Sequence, residues 1–381
     1  MSTPLVGGGR RPPTVLLVSP RPPRADGQGD QRRAHEILAA LSAEWDVDVV
    51  SWLPDVNRSG LRRWVANPVQ LARALALSAV MPAQVAYVQS RAPRSLPATA
   101  AAYDAVVFVT DRAVPRRVPE GAVVDFVDDL GGIALRRARS SRRWRALFWR
   151  WEGSRLRRHD RRLLERVRVA VAHSSPDATG IGATVETIPL SIGTEPMPDE
   201  GDRIVFLGNL FYAPNHEAAT WICDELAPEL GRRGIPPGTV LVAGRRPQPS
   251  LCERATATGV ELRADVPDLA AVLAEAAVVI APMRLGTGAQ YKVLDAVGAG
   301  RACVVSPVAN AGLDLADEVS ALVTEREAKP CADAIVRLLE DPALRRRLAA
   351  AARARLAGYL PEAVAESWRR TVRTVVDGRR G

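Results

Sequence analysis

The chain has 381 residues, 47% hydrophobic and 25% charged, which excludes an intrinsically disordered chain and supplies enough length for two cores. Its formal charge is +9, and of the 52 basic residues only Lys292 and Lys329 are lysines. That charge suits nucleic acid, an anionic membrane surface or phosphorylated substrates, but with no helix-turn-helix, zinc-finger or RNA-recognition signature, nucleic acid is not expected.

Residues 1–13 are expected to be a flexible leader, without the hydrophobic core of a signal peptide. No apolar run reaches the roughly 18 residues needed to span a bilayer. The first strand is predicted at TVLLVSP (14–20), followed by the loop RPPRADGQGD (21–30) and an amphipathic helix through Ala43. Further apolar strands at 47–53, 104–110, 122–129 and 169–175 alternate with helical stretches, the pattern of a parallel sheet buried on both faces. Residues 186–203 break into Pro, Gly and acidic residues, as a linker would. The alternation restarts with strands at 203–209, 239–245, 260–266, 277–283, 302–308 and 321–325, then a helical tail from Lys329 to Asp377 in which Pro361 opens the last helix.

The fold class expected is therefore α/β, with two Rossmann-like doubly wound domains at 14–192 and 203–360, a linker at 193–202 and a terminal helix at 361–381. Cys223, Cys252, Cys303 and Cys331 are too widely spaced for a zinc site or a disulfide framework, so reduced thiols and a cytoplasmic location are expected.

The most informative stretch is APMRLGTGAQYKVLDAVGAG (281–300). A strand delivers the chain to Gly286-Thr287-Gly288, and a helix is predicted to begin near Ala289. Glycines there let backbone N–H groups approach an anion, the helix N-terminus adds its dipole, and Arg284 and Lys292 supply full charges beside it. A tight turn with a solvated lysine fits the bare pattern equally well. The stretch is neither a P-loop nor a dinucleotide fingerprint.

With its continuation DAVGAGRACVVSPVANAGLD, the stretch resembles the retaining GT-B glycosyltransferases of family four, whose second domain carries Glu, seven residues, Glu; Thr287 and Asp295 stand at those two places. SPRPPRADGQGDQRRAHEIL and VFLGNLFYAPNHEAATWICDELAPEL resemble the sugar transferases of exopolysaccharide loci. The resemblance covers most of the chain. It implies a GT-B fold, two domains facing across a cleft with the C-terminal helix crossing back to the first. It also implies a nucleoside-diphosphate sugar as co-substrate, with no other cofactor and no metal, and an acceptor that is a glycan, a lipid-linked sugar or a small molecule.

By the same resemblance, Asp295 would bind the donor ribose, a carboxylate having acceptors for two vicinal hydroxyls. Gly288, Ala289 and Gln290 would present backbone donors to the diphosphate, Gly286 and Thr287 would belong to the same donor site, and Lys292 and Arg284 would offset the diphosphate's charge. Gly208, Asn209 and Asn215 lie near the donor in that branch, and Gly27, Gln28 and Gly29 form the glycine loop of the first domain. Two departures stand out. Thr287 replaces a carboxylate, and Gly208-Asn209 replaces a usual Arg and Lys, for which Arg245 and Arg246 are candidate substitutes. A catalytically degenerate GT-B protein that only binds a nucleotide, glycan or membrane, and a sugar-nucleotide epimerase, are the competing readings.

Asp128 and Asp129 end a strand and are candidates to orient or deprotonate the acceptor, with Lys292 the third candidate catalytic residue; Asp125, earlier in that strand, reads as structural. Residues 136–168 are strongly basic with Trp144, Phe148, Trp149 and Trp151 interleaved. They read either as an aromatic face packed into the core beneath solvated arginines, or as a peripheral contact with the inner membrane surface.

Overall fold

In the computed structural model, the described residues are 14–53, 68–139, 141–193, 195–286 and 288–380. The expected leader and Thr287 lie outside them. The described residues divide into two compact units: one runs to Val127 and adds Ser154–Val171 and the chain from Ala365, the other comprises Asp128–Gly153 and Ala172–Val364.

The first unit is built on β1 (Thr14–Val18), β2 (Asp46–Val50), β3 (Ala105–Val109), β4 (Ala122–Asp125) and β5 (Val169–Ala172), and β6 (Glu186–Thr187) completes that sheet in the order β2-β1-β3-β4-β5-β6. Strands β1 to β5 pair in parallel. AVVFV of β3 and AVVD of β4 are buried throughout, as the Val-rich runs require. At the edge, every position of DVDVV in β2 is exposed or half-buried.

Inside this unit, Arg33 of the helix Gly29–Leu41 donates to Asp125 at 2.8 Å, and both side chains are fully buried. The guanidinium also lies 5.0 Å from the ring of Trp368, a fully buried residue of the last helix, Pro361–Arg380. The terminal helix thus contributes to the first unit's core, as expected.

The second unit holds β7 (Arg203–Asn209), β8 (Val240–Arg245), β9 (Glu261–Ala264), β10 (Ala276–Ala281), β11 (Ala302–Val305) and β12 (Leu322–Val323), all parallel, in the order β12-β11-β10-β7-β8-β9. Counted from β7, that is the strand order 3-2-1-4-5-6 of a doubly wound sheet. The order reverses between β7 and β10, so their carboxyl ends flank a crevice where such sheets bind ligands.

All eleven strands expected from sequence are present, with ends trimmed by a few residues. Strand β6 falls at the start of the stretch 186–203 where the apolar pattern breaks, because its two residues, Glu and Thr, are both exposed and carry no apolar signal. The helix expected from Ala289 begins at Tyr291 instead, since Gly288 takes a left-handed φ of 54° and Gln290 is extended.

Candidate functional site

The carboxyl end of β7 supplies Gly208 and Asn209, and the following turn leads into the helix Ala213–Trp221, which carries Asn215. Gly208 is small for a reason: a Cβ there would lie 2.8 Å from Nδ2 of Asn215. Gly244 of β8 is constrained likewise, its Cβ position being 1.7 Å from the carbonyl oxygen of Gly208. Asn215, buried in that space, donates to the Asn209 carbonyl at 3.1 Å and accepts from Lys292 Nζ at 2.6 Å. The two sequence segments that looked informative separately are therefore joined by one side chain.

Lys292 lies in the first turn of the helix Tyr291–Gly298. Its ammonium is 3.3 Å from the sulfur of Met283 and 5.0 Å from the centre of the Phe206 ring. Burial among these weak partners pushes its pKa down to about 7. Its side chain is thus not the solvated lysine that the bare turn pattern also fits.

Between β10 and this helix runs the turn with Gly286, Gly288, Ala289 and Gln290. A Cβ on Gly286 would come 2.7 Å from the Gln290 amide nitrogen, and one on Gly312 would come 2.1 Å from the Gly288 carbonyl carbon. Gly288 and Ala289 are buried, Gly286 and Gln290 half-buried, and Arg284 exposed at the rim. First-turn N–H groups of a helix lack intrahelical acceptors, so the start of this helix is a positive end facing the crevice. Asp295, a turn further along, is buried within the same helix.

Arg245 ends β8 in register with Asn209. Arg246 takes a left-handed φ of 54° and rests its guanidinium 4.4 Å from the Phe211 ring. Both arginines border the end of β7.

Asp128 and Asp129 belong to this unit too. Val127 just before them has φ 62°, a strained conformation for a β-branched residue that redirects the chain after β4. Asp129 is buried and accepts from Gly132 N–H at 2.8 Å, capping the helix Leu130–Arg139; Asp128 is half-buried. Partial burial and then the charge of Asp128 raise the pKa of Tyr212, opposed by Arg137, which hydrogen-bonds the phenol.

Sequence reasoning missed one cluster. His173, just past β5, and Asp177 are both buried, with His173 Nε2 3.6 Å from Asp177 Oδ2 and the Ser174 hydroxyl donating to that oxygen at 2.6 Å. Burial raises the pKa of Asp177; His173 and Ser174 lower it, and Asp128 and Asp129 raise it again. A Cβ on Gly288 would fall 2.2 Å from His173 Nε2 and 2.3 Å from Asp177 Oδ2, so this cluster is the wall against which the glycine turn is moulded. His173 Nδ1 has no hydrogen-bond partner among the described residues. No spacing motif marks the cluster; only its position at a strand end could have drawn attention to it.

Gly27, Gln28 and Gly29 belong to the first unit, after β1 at that sheet's own point of reversal. Gln28 caps the helix Gly29–Leu41 in a reciprocal pair with Gln31 and accepts from Arg21, which also pairs with Asp30. A Cβ on Gly27 would lie 2.5 Å from that of Gln31.

Residues 201–341 match the protein family described as glycosyl transferases group 1. No curated protein matches the chain by sequence. Among solved structures, Alr3699/HepE of Anabaena in complex with UDP is 13% identical, covering 95% of this chain and 100% of that one, with a TM-score of 0.62. HepE has also been solved with UDP-glucose. Sucrose-phosphate synthase of Thermosynechococcus elongatus is 15% identical over 96% of this chain and all of its own, with a TM-score of 0.65. A UDP-forming trehalose-phosphate synthase of Burkholderia xenovorans is 13% identical over 96% and 99% of the two chains, with a TM-score of 0.62. The fold of the chain is GT-B.

Proposed function

We propose that the protein is a glycosyltransferase that moves a sugar from a nucleoside-diphosphate sugar to an acceptor hydroxyl. The observation that carries the reading is Lys292, one of only two lysines, held by Asn215 at the reversal point of a doubly wound sheet, beside a glycine turn and a helix N-terminus. The match of residues 201–341 to group 1 glycosyl transferases, and the UDP and UDP-glucose bound by HepE, support a nucleotide-sugar donor.

In this reading the diphosphate lies on the Gly288–Gln290 turn with Lys292 behind it and Arg284 at the rim. Departure of the nucleoside diphosphate develops negative charge on its terminal phosphate, and preoriented donors stabilise that charge. Arg284, Lys292 and the helix start supply the positive potential, so transfer is expected to proceed in EDTA. Asp295 takes the ribose hydroxyls. Asp128 is the better placed of the two strand-end carboxylates to receive the acceptor proton, because Asp129 is engaged as a helix cap. Retention of anomeric configuration follows from the family resemblance and is read from the product's anomeric proton by NMR.

Calorimetric titration of UDP, GDP, ADP and dTDP into the protein and into Lys292→Ala tests the donor site. One nucleotide is expected to bind at micromolar strength, weakened about tenfold, or about 1.4 kcal/mol, by the substitution. Binding of none would remove the reading. Binding without donor hydrolysis or sugar transfer would leave a nucleotide-binding protein and remove the enzyme.

A further inference from the structure

Ten large hydrophobic side chains are exposed among the described residues, and four of them fall within one short stretch: Trp144 (72%), Leu147 (68%), Phe148 (46%) and Trp151 (55%). All four belong to the helix Arg143–Leu164, spaced i, i+3, i+4, i+7, and so share one face. The helix is anchored by another face, on which Glu152, Gly153, Leu156, Asp160 and Leu163 are buried. Core packing of the aromatics, one of the two sequence readings, is thus corrected for Trp144, Phe148 and Trp151, which are exposed, whereas Trp149 is half-buried.

The face is also preassembled. Phe148 stacks edge-on against Trp149 at 5.2 Å and lies 6.2 Å from Trp151, while Arg145 sits 5.6 Å from the Trp144 ring. Along the sequence that carries it the charge has a single sign: between Asp129 and Glu152 there are seven arginines and no acidic residue. Arg142, Arg143, Arg145 and Arg150 are exposed. No helix among the described residues is long and apolar enough to cross a membrane.

We propose that this aromatic, arginine-flanked face docks the protein on an anionic membrane surface. Tryptophan and phenylalanine settle at the level of the lipid headgroups, their apolar bodies among the upper acyl chains, while flanking arginines meet lipid phosphates. Neither signal holds a protein firmly alone; together they do. A second copy of the chain fits the same face poorly, because a twofold contact would set arginines against arginines. The proposal uses no residue of the Lys292 site and stands apart from the glycosyl-transfer reading.

The test is co-sedimentation of the full chain with vesicles of phosphatidylcholine alone and of phosphatidylcholine with phosphatidylglycerol. Binding is expected to the mixed vesicles, to weaken with salt, and to fall roughly fivefold for each of Arg143→Gln and Arg150→Gln. Trp144→Glu with Trp151→Glu is expected to lower it at least about tenfold, with an unchanged melting temperature because both side chains are exposed. Brominated lipid in the mixed vesicles should quench tryptophan fluorescence of the unmodified protein, a readout independent of any variant. No binding, equal binding to both vesicle types, or binding indifferent to the tryptophan pair would overturn the proposal. So would a change of sedimenting mass in lipid-free solution when the pair is replaced, which would assign the face to contact between copies.

Discussion

Lys292 carries a charge whose persistence depends on what lies beside it. Burial pushes its pKa down to about 7, and a diphosphate alongside would push it back up. Above pH 7, nucleotide binding should therefore take up a proton, and affinity should decline as pH rises through that value. Calorimetry in buffers of different ionisation enthalpy would show the uptake, and Lys292→Met should abolish it; equal heats in all buffers would contradict this. The linkage to folding has a definite sign. The folded-state pKa lies below the unfolded value of about 10.4, so burying this lysine destabilises the protein most below pH 7 and progressively less as pH rises toward the unfolded value. Lys292→Met should accordingly raise the melting temperature more at pH 6 than at pH 9. The lysine itself was legible in the sequence by its rarity among arginines. Its hold on Asn215 was not, since 77 residues separate the two, and nothing local encodes which amide will face which ammonium.

The glycine turn owes its shape to elements on either side of it. His173 and Asp177 press on Gly288 from one direction and Gly312 from another, leaving no room for a methyl group on either glycine. Gly312→Ala should cost about 1–3 kcal/mol through overpacking and also weaken nucleotide binding, although Gly312 itself was not assigned to the site. Gly231, inside the helix Ala227–Arg232, has nothing within 4 Å of a Cβ, so Gly231→Ala should be neutral or stabilising by about 0.5–1 kcal/mol. Denaturation by urea compares the two; equal effects would show that the turn yields. Elements of this kind divide by how they announce themselves in sequence. Val-rich runs such as AVVFV mark buried strands because only apolar residues survive there. The turn's glycines were visible too, but the cluster that shapes them was not, because His173 and Asp177 follow a strand in another part of the chain.

Across the whole molecule, three separate segments build the first unit, and the last of them brings Trp368 against Arg33, which pairs with the buried Asp125. Arg33→Ala would strand a buried carboxylate and should cost about 3–5 kcal/mol; Arg33→Lys should recover only part, since an ammonium cannot reproduce the planar contact with the ring. Differential scanning calorimetry reads both. A loss under about 1 kcal/mol would mean that Asp125 is served by other donors.

The order in which these segments are made has its own consequence. A chain emerging from the ribosome usually completes its domains from the amino end. Here the portion from Asp128 to Val364 contains every segment of the second unit, whereas the first unit must wait for Ala365 and the rest of the terminal helix. The half begun first is finished last, so during synthesis its strands are made long before the helix that packs on them, while the half that holds Lys292 can already fold. That leaves the early strands as the natural clients of chaperones.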